Sequence, residues 1–376
     1  MSSIYRDNLK KIETLIGYKR IFDPEKDEAQ DSKYLKKAQD IYSLQLELFE
    51  GTTSIINTTS FCFFREFDLN ALSNCVDGHG VIGITAGTPL LLKDIFNSLL
   101  SHPKFLAKDL NATDEKAYFN YLTMPNSSSD YLIDGEYLRV PRYSPINPSR
   151  GRYAGILSDL SLDFLFLHEL AHLIGGHILF RKNALHIFQE IAAFSKYKVK
   201  KEHAISCHAL EYDADWFAVQ ALILTGMENK GIIGSLDNIA KNPTFLFRTI
   251  ILSIVILMIC GIKKEISLEQ APVMFHPHPY WRLFLLYMAG NRVVSYNFPE
   301  MEDNWKKAFY QALVDLRYAS IIFEPANKFF RDEKSIIPGF RSKIMSILDR
   351  HNDLIHELEQ IGSNIRNGFN LNKYKK

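Results

Sequence analysis

Residues 168–172 read His-Glu-Leu-Ala-His, a spacing that can bind a metal ion. On a helix, side chains four residues apart project from the same face, one turn apart. The imidazoles of His168 and His172 can therefore reach a single Zn²⁺ ion at about 2.0–2.1 Å. Glu169 follows the first histidine and can take a proton from a water molecule that the metal activates. The pattern predicts a one-zinc site with a carboxylate base.

The alternative interpretation of this motif is an amphipathic helix with two surface histidines. It is weakened by apolar neighbours on most sides of the helix: Phe164, Leu165, Phe166, Leu167, Leu170, Leu173 and Ile174. Two histidines and a glutamate in such surroundings need polar or metal partners, because burying unpaired polar groups is costly.

The third metal ligand is not fixed by the motif itself. A metzincin would have a histidine at position 178, where this chain has Ile178. His177 lies one residue earlier and stays a candidate, but Gly175 and Gly176 can end the helix just before it.

Glu211 is the better candidate, because it begins the pattern Glu-Tyr-Asp-Ala-Asp within a second apolar helix. Glu211 and Asp215 share a helix face, so Glu211 can bind the metal while Asp215 bonds the far nitrogen of a ligand histidine. Asp213 is expected to point elsewhere. The alternative is a set of three solvated acids.

Residues 276–282, His-Pro-His-Pro-Tyr-Trp-Arg, form a third polar element. Peptide cleavage creates an oxyanion that needs hydrogen-bond donors, which His276 and Arg282 could supply. Arg282 could instead brace the acidic helix through Asp215. A proline-stiffened loop with a structural arginine is the remaining alternative.

The residue patterns along the chain predict an α+β, mostly α-helical fold in three parts, which must position these residues. Residues 1–55 form an N-terminal helical segment, 56–290 the core, and 291–376 a C-terminal helical region. Strands are expected between residues 60 and 85, and an irregular, proline-rich insertion over about 101–157. Helices are predicted over 90–102, from near Ser158 to Gly175, and over 208–226, 245–262, 304–322 and 340–361.

Composition excludes some function classes. There are 44 basic and 43 acidic residues, a net charge of +1, which argues against a nucleic-acid partner. The hydrophobic share of 47% argues against disorder. The four cysteines form no CxxC pair, which suits a reducing compartment and predicts a cytoplasmic protein.

The uncharged residues 249–262 leave membrane association open. A bilayer span needs about 20 apolar residues, and runs of about 10–14 are more often buried core helices. We therefore favour a buried helix over 245–262, with a membrane-associated helix as the alternative. Residues 1–20 are charged throughout and lack the apolar stretch of a signal peptide.

The three polar blocks, in this order, resemble the CAAX-prenyl-protease and HtpX-type family of gluzincin metallopeptidases, whose pattern is HExxH…ExxxD…HPxxxxR. Here His177 also matches the family's HExxHxxxxH. The resemblance implies a zincin-like core, with His168, His172 and Glu211 as zinc ligands. It further implies Glu169 as base, and His276 with Arg282 near the oxyanion.

A fourth match lies upstream and is similar to the family's edge strand over the cleft. The resemblance implies that this strand pairs with the backbone of an extended substrate. Its residues here are Asn70, Ala71, Gly83, Ile84 and Thr85. The chain departs from the family at His278, which replaces the second proline of HPP, in the long insertion, and in lacking several membrane spans.

A mostly soluble chain with an HExxH motif also resembles the phage-exclusion peptidases of the Lit type. We therefore expect a zinc-dependent endopeptidase with a protein or peptide substrate, which in bacteria could serve phage defence. The alternatives are a zinc-stabilised effector or binding module without catalysis, and a membrane-associated peptidase.

Overall fold

The computed structural model describes residues 21–22, 32–49, 58–66, 69–76, 79–107, 109–116, 132–133, 136–137, 143–184, 199–228, 231, 241–261, 276–331 and 340–360. Parts of the predicted segments lie outside these residues, among them 1–20, 23–31 and 50–55 of the N-terminal segment, 117–131 and 138–142 of the insertion, and 332–339 and 361–376 of the C-terminal region. The described chain is mostly helical with a small three-stranded sheet, which confirms the α+β, mostly α prediction.

Within the described residues, ten α-helices and five strands follow one another along the chain. They are α1 (Ser32–Phe49), β1 (Thr58–Phe64), β2 (Ala71–Val76), β3 (His79–Thr85), α2 (Gly87–Ser101), β4 (Leu132–Ile133), β5 (Glu136–Tyr137), α3 (Pro148–Ile174), α4 (His177–Ala184), α5 (Lys201–Met227), α6 (Pro243–Cys260), α7 (Pro279–Asn297), α8 (Glu302–Ile322), α9 (Glu324–Arg331) and α10 (Phe340–Gln360). The short strands β4 and β5 pair with each other.

The three-stranded sheet has the order β1-β3-β2, so β3 is its central strand. Gly83 pairs with Cys62 of β1 on one side and with Leu72 of β2 on the other. The prediction that Gly83, Ile84 and Thr85 lie on an edge strand is therefore wrong, because both hydrogen-bonding edges of β3 are occupied. The outer strands are β1, which Ile21 bridges at Phe64, and β2, whose outer side pairs with no described residue and is called the free edge.

Helix α3 begins at Pro148, ten residues earlier than predicted. Its N-cap is Asn147, whose side chain accepts a hydrogen bond from the backbone N–H of Ser149. Proline at the first helical position suits this start, because it has no N–H to leave unsatisfied. Ser158, the expected start, is buried inside the helix. The helix ends at Gly175 as predicted.

The start of α3 also orders part of the predicted insertion. Arg150 is fully buried and donates hydrogen bonds to four backbone carbonyls, those of Leu100, His102, Phe105 and Leu110. One buried guanidinium thus fixes the chain that leaves α2 against the first turn of α3.

Helix α6 is the apolar segment whose setting was open. It is the one helix among the described residues that is long and apolar enough to cross a membrane, and 83% of it is buried in the fold. Arg248, on its first turns, makes two hydrogen bonds to Asp315 of α8, at 2.5 and 2.7 Å. This setting fits a soluble chain or one weakly associated with a membrane.

The core lies around α3, which packs against α2, α5, α6 and the sheet. Almost all residues of its second half are buried, as the apolar neighbours of the motif predict. The predicted helices over 208–226, 304–322 and 340–361 are confirmed as α5, α8 and α10. Helix α5 crosses α3 and carries the acidic cluster to it.

Candidate metal centre

Helices α3 and α5 bring the predicted metal ligands together. The Nε2 atoms of His168 and His172 lie 3.1 Å apart. The two carboxylate oxygens of Glu211 face them, Oε2 at 3.4 Å from His168 Nε2 and Oε1 at 3.2 Å from His172 Nε2. All three side chains are buried, and their ligand atoms lie within 4.8 Å of one another. This group could bind a metal ion.

The polar atoms of the group are consistent with such an ion. Glu211 Oε1 is buried and faces Nε2 of His172 at 3.2 Å, without a well-aligned hydrogen bond from a described residue. An unsatisfied buried carboxylate oxygen costs free energy, and a cation between it and two imidazoles removes that cost. Imidazole nitrogen together with carboxylate oxygen is a common ligand set for transition metals in proteins.

The charge states of His172 and Glu211 suit metal binding. Burial lowers the pKa of His172 well below its ordinary value, so its imidazole is neutral, the form that binds metals. Burial would raise the pKa of Glu211, but the neighbouring His276 and the hydrogen bond from His168 hold it well below its ordinary value. The group therefore presents a neutral ring and a carboxylate.

The pKa of His168 shows how negative its surroundings are. Burial lowers this pKa, but the carboxylates of Asp215 and Glu211 outweigh burial and raise it to about 9. A protonated His168 partly balances these two acids. A metal ion at the same place would supply the positive charge instead.

Asp215 supports His168, as predicted from the helix face. Its Oδ1 lies 2.9 Å from Nδ1 of His168, on the far side of the ring from the ligand atoms. Arg282 of α7 binds the same carboxylate through Nε at 2.8 Å and Nη2 at 2.6 Å. Of the two roles considered for Arg282, this contact is the bracing one, because two of its guanidinium nitrogens are committed to Asp215.

His276 lies beside the ligand group. Its Nδ1 is 2.8 Å from Oε2 of Glu211, and its side chain is 12% exposed. Next to it, His278 accepts a hydrogen bond from the N–H of Tyr280 and caps helix α7. The histidine that replaces the family's proline thus starts the helix that carries Arg282.

Glu169 points from α3 to the sheet. Its Oε2 accepts a hydrogen bond of 2.7 Å from the hydroxyl of Ser73, on strand β2. Both residues are buried. Burial raises the pKa of Glu169, and the hydrogen bond from Ser73 opposes that rise. The sequence motifs gave no indication of Ser73.

The far side of His172 carries a second set of partners. His177 was considered as a ligand, but its Nδ1 lies 2.9 Å from Nδ1 of His172, behind the ligand ring. Asp213, expected to point elsewhere, lies 3.0 Å from Nε2 of His177 and 2.7 Å from His351 of α10. Spacing gave no signal for His351, which lies 138 residues from Asp213.

The residues predicted to bind the substrate backbone divide between two settings. Asn70 and Ala71 lie at the start of the free-edge strand β2, and the backbone carbonyl of Asn70 accepts a hydrogen bond from Thr85. Ile84 lies in the hydrophobic core. Gly83 faces the ring of Phe64, so close that a Cβ atom would lie 1.8 Å from Cε2.

The described chain is thus a mostly helical α+β fold with a buried group of two histidines and a glutamate. No model of a known protein family, no curated protein and no solved structure matches it.

Proposed function

We propose that this chain is a zinc-dependent endopeptidase in which His168, His172 and Glu211 hold one Zn²⁺ ion. The observation that supports it best is the position of Glu169, which follows a ligand histidine and is oriented by Ser73 at 2.7 Å. A metal-binding group with an adjacent, oriented carboxylate is the combination that peptide hydrolysis by activated water requires.

When bound, zinc would polarise the scissile carbonyl and lower the pKa of a water molecule. Glu169 would be the residue that takes a proton from the attacking water and gives it to the leaving amine. Burial raises the pKa of this carboxyl group, which makes its carboxylate a stronger base for the first step. Ser73 keeps one oxygen of Glu169 in place during both transfers.

His276 is the proposed donor to the developing oxyanion. It lies next to Glu211, is partly exposed, and stands on the segment just before α7. A donor already in place at the site stabilises the negative charge without reorganisation. Arg282 acts on His168 through Asp215 instead.

The proposed substrate is an extended segment of a protein that pairs with the free edge of β2. This edge belongs to the strand that carries Ser73, so a bound main chain would lie beside Glu169. A zincin-like core with an edge strand is also what the resemblance to gluzincin peptidases implies. All four cysteines are buried thiols, which suits the proposed cytoplasmic location.

A second candidate function is a zinc-stabilised effector or binding module without catalysis. The burial of all three ligands favours it, because structural zinc sites are closed whereas catalytic sites keep an open position. In that case Glu169 serves only to anchor β2 through Ser73.

Metal analysis together with one variant separates these functions. Purified wild type should contain one zinc per chain, Glu169→Gln should keep it, and His168→Ala should lose it. Cells expressing wild type should show new protein N-termini that cells expressing Glu169→Gln lack. Identical N-termini in both would contradict the peptidase, and a metal-free wild type would contradict the site itself.

A further inference from the structure

The ligand histidine His172 is supported from behind by three residues of three different elements. We infer that His177, Asp213 and His351 are positioning residues that hold His172, so that helix α10 is part of the metal centre. This inference rests on the proposed metal site.

The geometry assigns a hydrogen to each ring in turn. His172 directs Nε2 at Glu211 and His168, so with a metal there its hydrogen must be on Nδ1. Among the described residues, the acceptor that faces this hydrogen is Nδ1 of His177, at 2.9 Å. His177 must then carry its own hydrogen on Nε2, which faces Oδ2 of Asp213 at 3.0 Å.

His177 has little freedom to move from this position. It is fully buried, and its ring lies against the backbone of Gly175, where an added Cβ would approach Nε2 to 2.7 Å. The glycine that ends α3 thus also makes room for the ring. The chain turn at Gly175 therefore restricts the position of His177.

Helix α10 supplies the last contact. Nε2 of His351 lies 2.7 Å from Oδ1 of Asp213, so each oxygen of this carboxylate accepts from one histidine. His351 is buried and packs edge-on against the ring of Tyr212, with centroids 4.9 Å apart. The carboxylate therefore cannot rotate away from His177 without breaking its contact with α10.

The two ligand histidines consequently have different supports. His168 contacts Asp215, whose charge is neutralised by Arg282 of α7. His172 contacts His177, which contacts Asp213, and Asp213 is held by His351 of α10. Partners of this kind fix the ring orientation of metal ligands, and removing one costs about 10–100-fold in metal affinity.

A pair of variants at position 177 distinguishes positioning from packing. The Oδ1 atom of an asparagine occupies the place of the histidine Nδ1 and can accept from His172, whereas phenylalanine matches the ring shape and accepts nothing. We expect His177→Phe to bind zinc about 10–100-fold more weakly than wild type. On a logarithmic scale, the zinc affinity of His177→Asn should recover at least half of that loss.

A second pair tests α10 directly, far from the ligands. The Nε2 atom of a glutamine matches that of histidine, so His351→Gln should stay within about threefold of wild type, while His351→Leu should lose about tenfold. His356→Ala, on an exposed part of the same helix, is the control and should bind as wild type does. If His177→Phe does not fold, the variants at position 351 test the inference without it.

Zinc affinity of the full chain is measured by competition with a chromophoric chelator, and thermal unfolding in chelator shows that each variant is folded. Equal affinity for wild type, His177→Phe and His351→Leu would overturn the inference and leave the metal site standing. A wild type that binds no zinc would overturn both. Zinc binding that follows the expected order, without peptidase activity, would uphold the inference and contradict the proposed reaction.

Discussion

The hydroxyl of Ser73 and the carboxylate of Glu169 join the free-edge strand to the helix that carries both ligand histidines, through a buried hydrogen bond of 2.7 Å. The strand proposed to bind substrate and the proposed base are therefore positioned by one contact. A change in the position of β2 would be transmitted directly to the reacting carboxylate.

Replacing Ser73 with alanine should impair turnover while leaving zinc bound. A hydrogen bond to a charged group is worth about 1.5–3 kcal/mol, so kcat should fall about tenfold or more. Because this bond lowers the pKa of Glu169, its loss raises that pKa, and the base becomes protonated at higher pH. The acidic limb of the kcat profile should therefore move to higher pH.

Ser158→Ala is the matched control, since Ser158 is also buried and lies on α3, three turns before the ligands. It should leave both kcat and the pH profile unchanged. Unchanged turnover in Ser73→Ala would show that Glu169 needs no support from the strand.

Replacing Arg282 with alanine should destabilise the fold and weaken zinc binding together. The carboxylate of Asp215 would remain buried without its guanidinium partner, which costs about 3–5 kcal/mol. Chemical denaturation in chelator measures the stability, and Arg341→Ala, an exposed arginine on α10, should change it by less than about 0.5 kcal/mol. If Arg282→Ala unfolds like wild type and only kcat falls, the arginine acts on the oxyanion instead.

The ligand group could be predicted from the sequence because helical geometry fixes it locally. Residues 168 and 172, or 211 and 215, share a face whatever the rest of the fold does. His351 and Ser73 could not be predicted, since each reaches the site from a distant part of the chain. Their contacts depend on how α10 and β2 pack, which no local spacing records.

Two errors have different physical origins. The start of α3 had a local signal, an asparagine N-cap followed by proline, but it lies in a proline-rich stretch that resembles a loop. The central position of β3 had no local signal, because the sequence of a hairpin is the same whether or not a third strand pairs with it. Strand β3 is central because β1 pairs with it in parallel on its second edge.

Replacing Gly83 with alanine should destabilise the sheet without a selective effect on substrate binding. The added Cβ would meet Cε2 of Phe64 at 1.8 Å, and overpacking of this kind costs about 1–3 kcal/mol. Thermal unfolding should show the loss, while KM of the remaining folded enzyme stays near the wild-type value. A raised KM with unchanged stability would instead indicate that Gly83 takes part in substrate binding.

A charge placed in the middle of α6 distinguishes a core helix from a membrane-associated one. Ile254 is fully buried, and Arg248 on the same helix is already paired with Asp315 of α8. Ile254→Lys should therefore cost several kcal/mol, on the order of 3 or more, because its ammonium group has no partner there. We expect less folded protein in the soluble fraction and a lower melting temperature, with Ile254→Leu close to wild type. If wild type instead floats with lipid vesicles and Ile254→Lys releases it in folded form, α6 contacts the membrane.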